Sequence, residues 1–365
     1  MSDVALIRRG YPAAKASRFV GKVAIYVVPI AALVYLPVVL TNRQIFGVPI
    51  ANAALLGLGL PQLNLALIAV VGAVGLNLLM GQTGLVSLGN AAFFAVGACA
   101  ASVVGVQMHR GLVLAVVAAG VAGAAVGTLV GLPSVRLRGL YLLLSTMGLQ
   151  FIAAWLFLKY QLRYFGPGGV GFPTPSVFGV TLGTDRAWYF LLLVVAVASV
   201  VFTNNVIRHR KGRALIAIRD HELAAGCVGI PVARSKLTVF ALSSAIVSMA
   251  GALYVWYLGI ASQEIFSLTL AISFISMIVI GGLGSTSGAV IGALVWQLLP
   301  RAINTLSQSV SPTTPIIGQS LNKYQADVSD MILGFFLIVV IIFRPDGLWG
   351  LARSSWKYVR CWPVE

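Results

Sequence analysis

Between Gln44 and His109 the chain carries no Asp, Glu, Lys or Arg, and the same holds from Gly111 to Val135. A soluble domain covers its surface with polar groups and cannot sustain such runs. Segments of about 20 apolar residues instead match the hydrocarbon thickness of a bilayer. Across the chain 59% of residues are hydrophobic and only 9% are charged, so the pattern is not confined to one anchor. These features predict an all-α fold, a polytopic transmembrane helical bundle. A β-barrel would show short alternating strands, which are not seen. The 39 glycines suit close helix–helix approach in lipid.

Ten spans are expected, at 23–41, 62–81, 85–106, 112–132, 139–158, 187–207, 237–258, 268–283, 287–303 and 328–343. The first is read as an uncleaved span, because its apolar stretch is long and no small-x-small cleavage site follows. Residues 44–60, bracketed by Pro49 and Pro61, read as a segment on the outer surface. The resulting organisation is a basic cytoplasmic N-tail (1–22), a transmembrane domain (23–343) with a cytoplasmic loop at 208–236, and a cytoplasmic C-tail (344–365).

Charge supports this arrangement. With the N-terminus inside, 18 Lys and Arg fall on the inner side and 7 on the outer side, the bias that fixes membrane topology. An additional span at 44–60 would separate the N-tail from the 208–236 loop and spoil it. The formal net charge of +16 therefore reads as topology and not as nucleic-acid binding. Trp155, Trp188 and Trp256 fall near proposed outer ends, where aromatic belts sit. Cys99, Cys227 and Cys361 are far apart, which indicates neither a disulfide framework nor a metal site.

No Asp, Glu, Lys or Arg lies near the middle of an expected span, which argues against proton coupling through a buried ionisable group. Sodium coupling through backbone carbonyls stays open. The chain has no GxxxxGK[ST] phosphate loop, no HExxH and no GxSxG. It is expected to be no enzyme, to need no cofactor and to be unable to hydrolyse ATP itself.

The exception to the oil is RHRKGRALIAIRDHELAAGCVGIP, Arg208 to Pro231. Asp220 is placed to cap a short helix, Glu222 adds negative charge to its first turn, Gly229 suits a left-handed C-terminal position, and Pro231 blocks continuation. A helix from Asp220 to Gly229 is too short to be stable alone. Its own membrane helices or a partner must hold it, and Leu223, Ala224, Ala225, Cys227 and Val228 would give it a small apolar face for a groove. A plain solvated loop obeying the positive-inside rule is the competing reading.

The stretch GRALIAIRDHELAAGCVGIPVARSKLTVFALSS resembles the coupling-loop region of branched-chain amino acid ABC importers, the LivM-type permease subunit. GLNLLMGQTGLVSLGNAAFFAVGA (Gly75–Ala98), LRGLYLLLSTMGLQ (Leu137–Gln150), the long segment Ala250–Leu294 and FRPDGLWG (Phe343–Gly350) resemble the same family in the same order. Two departures concern the subfamily. Asn90 stands where the family commonly has His, and Pro167 lies in GPGGVG where a TGG-type outer loop is usual.

The resemblance implies an ABC importer permease of the branched-chain amino acid/ribose superfamily, forming half of a translocation pathway in a bacterial inner membrane. Its partners would be a second, paralogous permease, two ABC ATPase subunits and a periplasmic substrate-binding protein, with membrane lipid around it. Arg219, Asp220, Glu222, Ala224, Ala225 and Gly229 would then couple it to the ATPases. A urea or other small-solute permease, a sugar permease, and a stand-alone channel or secondary carrier are the alternatives.

Two glycine clusters, Gly81-Gln82-Thr83-Gly84 and Gly281-Gly282-Leu283-Gly284, interrupt apolar regions in the two halves. Such matched breaks mark pathway or pivot regions in transporters, or simply tight turns at the inner surface. Asn77, Ser87 and Asn90 near the first cluster would line a neutral pathway or cap helices. Gly123-x3-Gly127-x3-Gly131 and Gly288-x3-Gly292 read as helix-packing stripes. The outer GPGGVGFP loop is expected either to touch a binding protein or to be an ordinary connection.

Overall fold

The computed structural model describes residues 44–45, 48–49, 59–135, 137, 139–177, 180–310, 325–343 and 347–350. The chain divides into two compact units, Met1–Leu55 and Leu56–Glu365. In the first, β1 (Gln44–Ile45) pairs antiparallel with β2 (Val48–Pro49), Ile45 opposite Val48. The expected first span, the N-tail and most of the C-tail lie outside the described residues.

The second unit is helical. Its long helices are α1 (Leu60–Thr83), α2 (Asn90–Ala101), α3 (Leu112–Ser134), α4 (Leu140–Tyr164) and α5 (Asp185–Arg208). Two short helices follow, α6 (Arg210–Asp220) and α7 (Glu222–Cys227). Then come α8 (Val232–Leu258), α9 (Leu268–Gly281), α10 (Thr286–Val310) and α11 (Gln325–Phe343). Among the described residues, 7 helices are long and apolar enough to cross a membrane. Each expected span from the second to the tenth has a helical counterpart.

Burial orders these helices. In α1 the apolar window is 89% buried, whereas in α4 and α5 it is 22% buried. α1 is therefore the axis, packed against α5, α8, α9 and α10, and α4 and α5 present Leu144, Phe151, Val194 and Val201 outward. In water those side chains would be a liability; in lipid they are solvated.

The glycine stripes explain how α8 can touch three neighbours at once. A Cβ at Gly123 would run into Ser248 and one at Gly127 into Ser244, while one at Gly131 would lie 2.8 Å from Leu237 Cδ1. The expected packing stripe of α3 thus meets α8 along its length. Gly97 and Gly251 do the same between α2 and α8, and Gly292 seats α10 against Met277 of α9. Serines bridge the gaps: Ser243 Oγ donates to Gly75 O at 2.7 Å and Ser248 Oγ to Phe93 O at 2.7 Å. Interhelical bonds of this kind contribute about 0.6–2 kcal/mol each in lipid.

Several boundaries differ from expectation: α4 runs on to Tyr164, α8 begins at Val232 and α10 runs on to Val310. α2 starts at Asn90 and not near 85, because Gly84 takes the left-handed conformation (φ 70) and stops α1. Residues 85–89 then run outside a helix, with Ser87 Oγ accepting from Gly89 N–H at 3.2 Å. Beyond α2 the chain widens into a π-helical turn, Ser102–Gln107. At the opposite end from the charged loop, β3 (Val170–Gly171), in the GPGGVGFP segment, pairs with β6 (Ile260–Ala261), and β4 (Ser176–Val177) pairs with β5 (Val180–Thr181).

Candidate functional site: a charged loop tied to paired glycine turns

The charged island is mostly helix. Gly212, Leu215 and Ile218 are buried at intervals of three residues and give α6 one face against the bundle. Arg210, Lys211 and Arg213 remain exposed. Sequence reasoning took this stretch for a loop, although the three-residue spacing was there to be read.

Asp220 is accordingly not an N-cap. It is the last residue of α6, and His221, extended at φ −151, both ends α6 and begins α7. The expected helix from Asp220 to Gly229 shrinks to the six residues Glu222–Cys227. Its end follows the expected chemistry: Gly229 sits at φ 86, and Ile230 N–H bonds to Ala225 O at 3.1 Å.

α7 is anchored on one side and open on the other. Lys236 of α8, only 2% exposed, donates from Nζ to Glu222 Oε1 at 2.8 Å. Ala225 is buried at 4%, whereas Leu223 is 75% and Val228 83% exposed. Ala224 and Cys227 are exposed beside them. Of the residues expected to carry coupling, Glu222 and Ala225 thus hold the helix in place, and Ala224 lies on its open side.

The two glycine clusters, 200 residues apart in the chain, meet in space. α1 runs through Gly81 and stops at Gly84; α9 stops at Gly281, with Gly282 at φ 115 and Gly284 at φ 85. Gly284 N–H donates to Asn77 Oδ1 at 3.1 Å, and Gln82 Nε2 donates to Gly284 O at 2.8 Å. A Cβ on Gly81 would lie 2.6 Å from Gly284 N, so neither glycine tolerates a side chain at this distance. Gly347 packs against Gly282 from the far end of the chain.

Arg219, at the C-terminal end of α6, reaches into this junction. Its Nη1 donates to Gly81 O at 2.6 Å, and a Cβ on Gly284 would lie 2.8 Å from the same nitrogen. Gly81 O is one of the carbonyls that α1 leaves unpaired where it ends. A guanidinium there satisfies the carbonyl and complements the negative end of the helix dipole. One side chain therefore joins the charged loop to both turns.

The remaining polar candidates divide. Asn77 and Gln82 clamp Gly284, and Ser87 caps its own turn. Asn90, 1% exposed, has neither amide atom hydrogen-bonded among the described residues. Sequence reasoning missed a cavity of about 160 Å³ between α1, α2, α8, α9 and α10, walled by Phe94, Tyr254, Phe274 and Trp296 with Gln297 as a polar member. Nothing in a single apolar sequence distinguishes those positions from ordinary core.

The model of a family described as branched-chain amino acid transport system / permease component matches residues 60–341. The high-affinity branched-chain amino acid transport system permease protein LivM of Escherichia coli strain K12 is 27% identical over 80% of this chain and 70% of its own. The probable branched-chain amino acid transport permease protein LivM of Methanocaldococcus jannaschii is 24% identical, covering 80% of this chain and 85% of its own. The ribose import permease protein RbsC of Escherichia coli strain K12 is 26% identical over 65% of this chain and 74% of its own. No solved structure matches the chain.

Proposed function

This chain belongs to the branched-chain amino acid transport permease family and is a multi-pass membrane permease subunit of an importer working with ATPase and binding-protein partners; from that premise we propose that α7 is the surface an ATPase presses and Arg219 the link that passes the displacement on. The supporting observation is a six-residue helix with Leu223 bare, Val228 bare just past its end, fastened behind by Lys236 and preceded by a residue that bonds to Gly81. Two bare apolar side chains on an anchored helix suit a shallow groove.

In this reading two ATPases and a paralogous permease complete the complex, and a periplasmic protein delivers branched-chain amino acids. The charged loop and both tails face the cytoplasm of a bacterial cell whose inner membrane holds the complex. Groove closure moves α7, and the paired turns at Gly81–Gly84 and Gly281–Gly284 act as the pivot between inward and outward states. Asn77, Ser87, Asn90 and the aromatic cavity beside α9 and α10 lie along the pathway. ATP hydrolysis resides wholly in the partners.

The test is the reconstituted complex with substrate-loaded binding protein. Leu223→Asp with Val228→Asp changes only exposed side chains and should leave stability within about 0.5 kcal/mol. Substrate-stimulated ATPase should fall at least about tenfold, as expected for two charges buried in an apolar groove. Stimulation at the wild-type level would falsify the assignment.

A further inference from the structure

At the end of the bundle opposite the charged loop, a cavity of about 470 Å³ opens between the start of α5 and the end of α8. Its volume lies in the range of small-ligand sites. Four aromatic side chains wall it: Phe172, Trp188, Trp256 and Tyr257. They brace one another, Trp188 and Tyr257 at 5.4 Å between ring centroids and Phe172 and Trp256 at 5.2 Å. Asp185 supplies a carboxylate at the rim.

That carboxylate is positioned. Tyr257 Oη donates to Asp185 Oδ1 at 3.0 Å, and Asn64 Nδ2 donates to Asp185 O at 3.0 Å and to Tyr257 Oη at 3.4 Å. Among the described residues no Lys or Arg forms an ion pair with Asp185. Asn64 is 0% exposed, yet its Oδ1 has no hydrogen-bond partner among the described residues, and neither has Nε1 of Trp256, 4% exposed. Buried polar atoms left this way ask for an explanation. The hydroxyl of Thr184, the N-cap of α5, makes no capping bond either.

The chemistry is that of a zwitterion with an apolar tail. An ammonium group has three donors and no acceptor, matching the carboxylate, and aromatic faces attract it further. A carboxylate suits the positive N-terminal end of α5 beside Thr184. Leu65, Phe172 and Leu182 offer apolar wall for a hydrocarbon side chain. We propose that this cavity is an entry site for free amino acid, with Asp185 binding the α-ammonium group and the aromatic box holding the side chain. The proposal rests on the amino acid import reading above and adds to it a place and a residue. A lysine of a docking protein is the competing occupant, but a cleft of this volume has room for a whole small molecule and not only for a side-chain tip.

The experiment uses the complete reconstituted complex without binding protein, reading tryptophan fluorescence, since Trp188 and Trp256 line the cavity. L-Leucine should quench it saturably, and 4-methylpentanoate, which lacks the ammonium group, should not. Asp185→Asn should weaken the leucine response about tenfold or more, the loss of a charge-assisted bond, and Asp185→Glu should restore most of it. Equal quenching by 4-methylpentanoate, or an unchanged response in Asp185→Asn, overturns the proposal. So does an Asp185→Asn variant that binds leucine normally but docks the binding protein poorly, which would assign the carboxylate to a protein contact. Uptake of leucine with the binding protein present separates the two readings. Its absence in the wild type sinks amino acid import, while wild-type uptake by Asp185→Asn sinks only the entry site.

Discussion

Arg219 ties the charged loop to the glycine turns, and its chemistry says which substitutions matter. The bond to Gly81 O replaces one that α1 cannot make to itself, and the same nitrogen occupies the space a Cβ on Gly284 would need. Lysine could donate to the same carbonyl, but as a point charge without the planar guanidinium. Arg219→Ala should cost on the order of 1 kcal/mol in stability, a single partly exposed hydrogen bond. Its larger effect should be on coupling: basal ATPase activity persists while substrate stimulation drops, with Arg219→Lys between the two. A variant that transports normally would remove Arg219 from the transmission path. Gly229 illustrates the opposite case. A Trp there would reach a docked partner, since nothing lies within 4 Å of a Cβ, but its φ of 86 strains any L residue. Leu223 and Val228 are cleaner places to ask the question.

At the scale of elements, α8 is the piece on which the others depend. It holds α3 through a glycine stripe, α1 and α2 through serine bonds, and α7 through Lys236. Filling the stripe should separate the helices: Gly127→Leu forces a side chain into Ser244 and should cost about 3 kcal/mol or more. Thermal unfolding in detergent, with Gly148→Leu as an open-space control on α4, measures the difference. The Lys236–Glu222 pair makes a second prediction. Removing Glu222 alone leaves an ammonium group 2% exposed without its carboxylate, which costs about 3–5 kcal/mol for a fully buried pair and less here because Glu222 is partly open. Glu222→Ala should therefore be more destabilising than the double variant Glu222→Ala with Lys236→Met. Equal stability of the two would show that the pair is held by solvent and not by burial.

For the whole molecule, the arrangement across the bilayer is the quantity to measure. The charged loop lies at one end of α5 and α8, and the aromatic cavity with its small strands lies at the other. Charge bias predicts a loop on the inner side. Cys227 is exposed on α7, so a variant retaining only that cysteine should react with a membrane-impermeant maleimide in inside-out vesicles and not in right-side-out ones. The reverse labelling would invert the topology and with it the entry-site assignment.

Much of this was legible in the chain itself. Apolar length and loop charge dictate a membrane bundle, because lipid leaves a backbone few other choices. The glycine stripe of α3 and the turns at Gly84 and Gly284 followed from glycine's missing Cβ. The end of α7 followed from Gly229 and Pro231. What the chain alone did not determine depends on neighbours distant in sequence. Asp220 looked like a cap until α6 was seen to run through it, its apolar face stabilised by the bundle and not by local propensity. That Glu222 pairs with Lys236 is set by α8, which the local sequence does not reveal. The meeting of Gly81 with Gly284, and of Arg219 with both, exists only because α1, α9 and α6 end at one point. Asp185 and the aromatic box have the same origin. Local chemistry settles where a helix can stop; only tertiary packing settles which ends come together, and there the candidate sites are built.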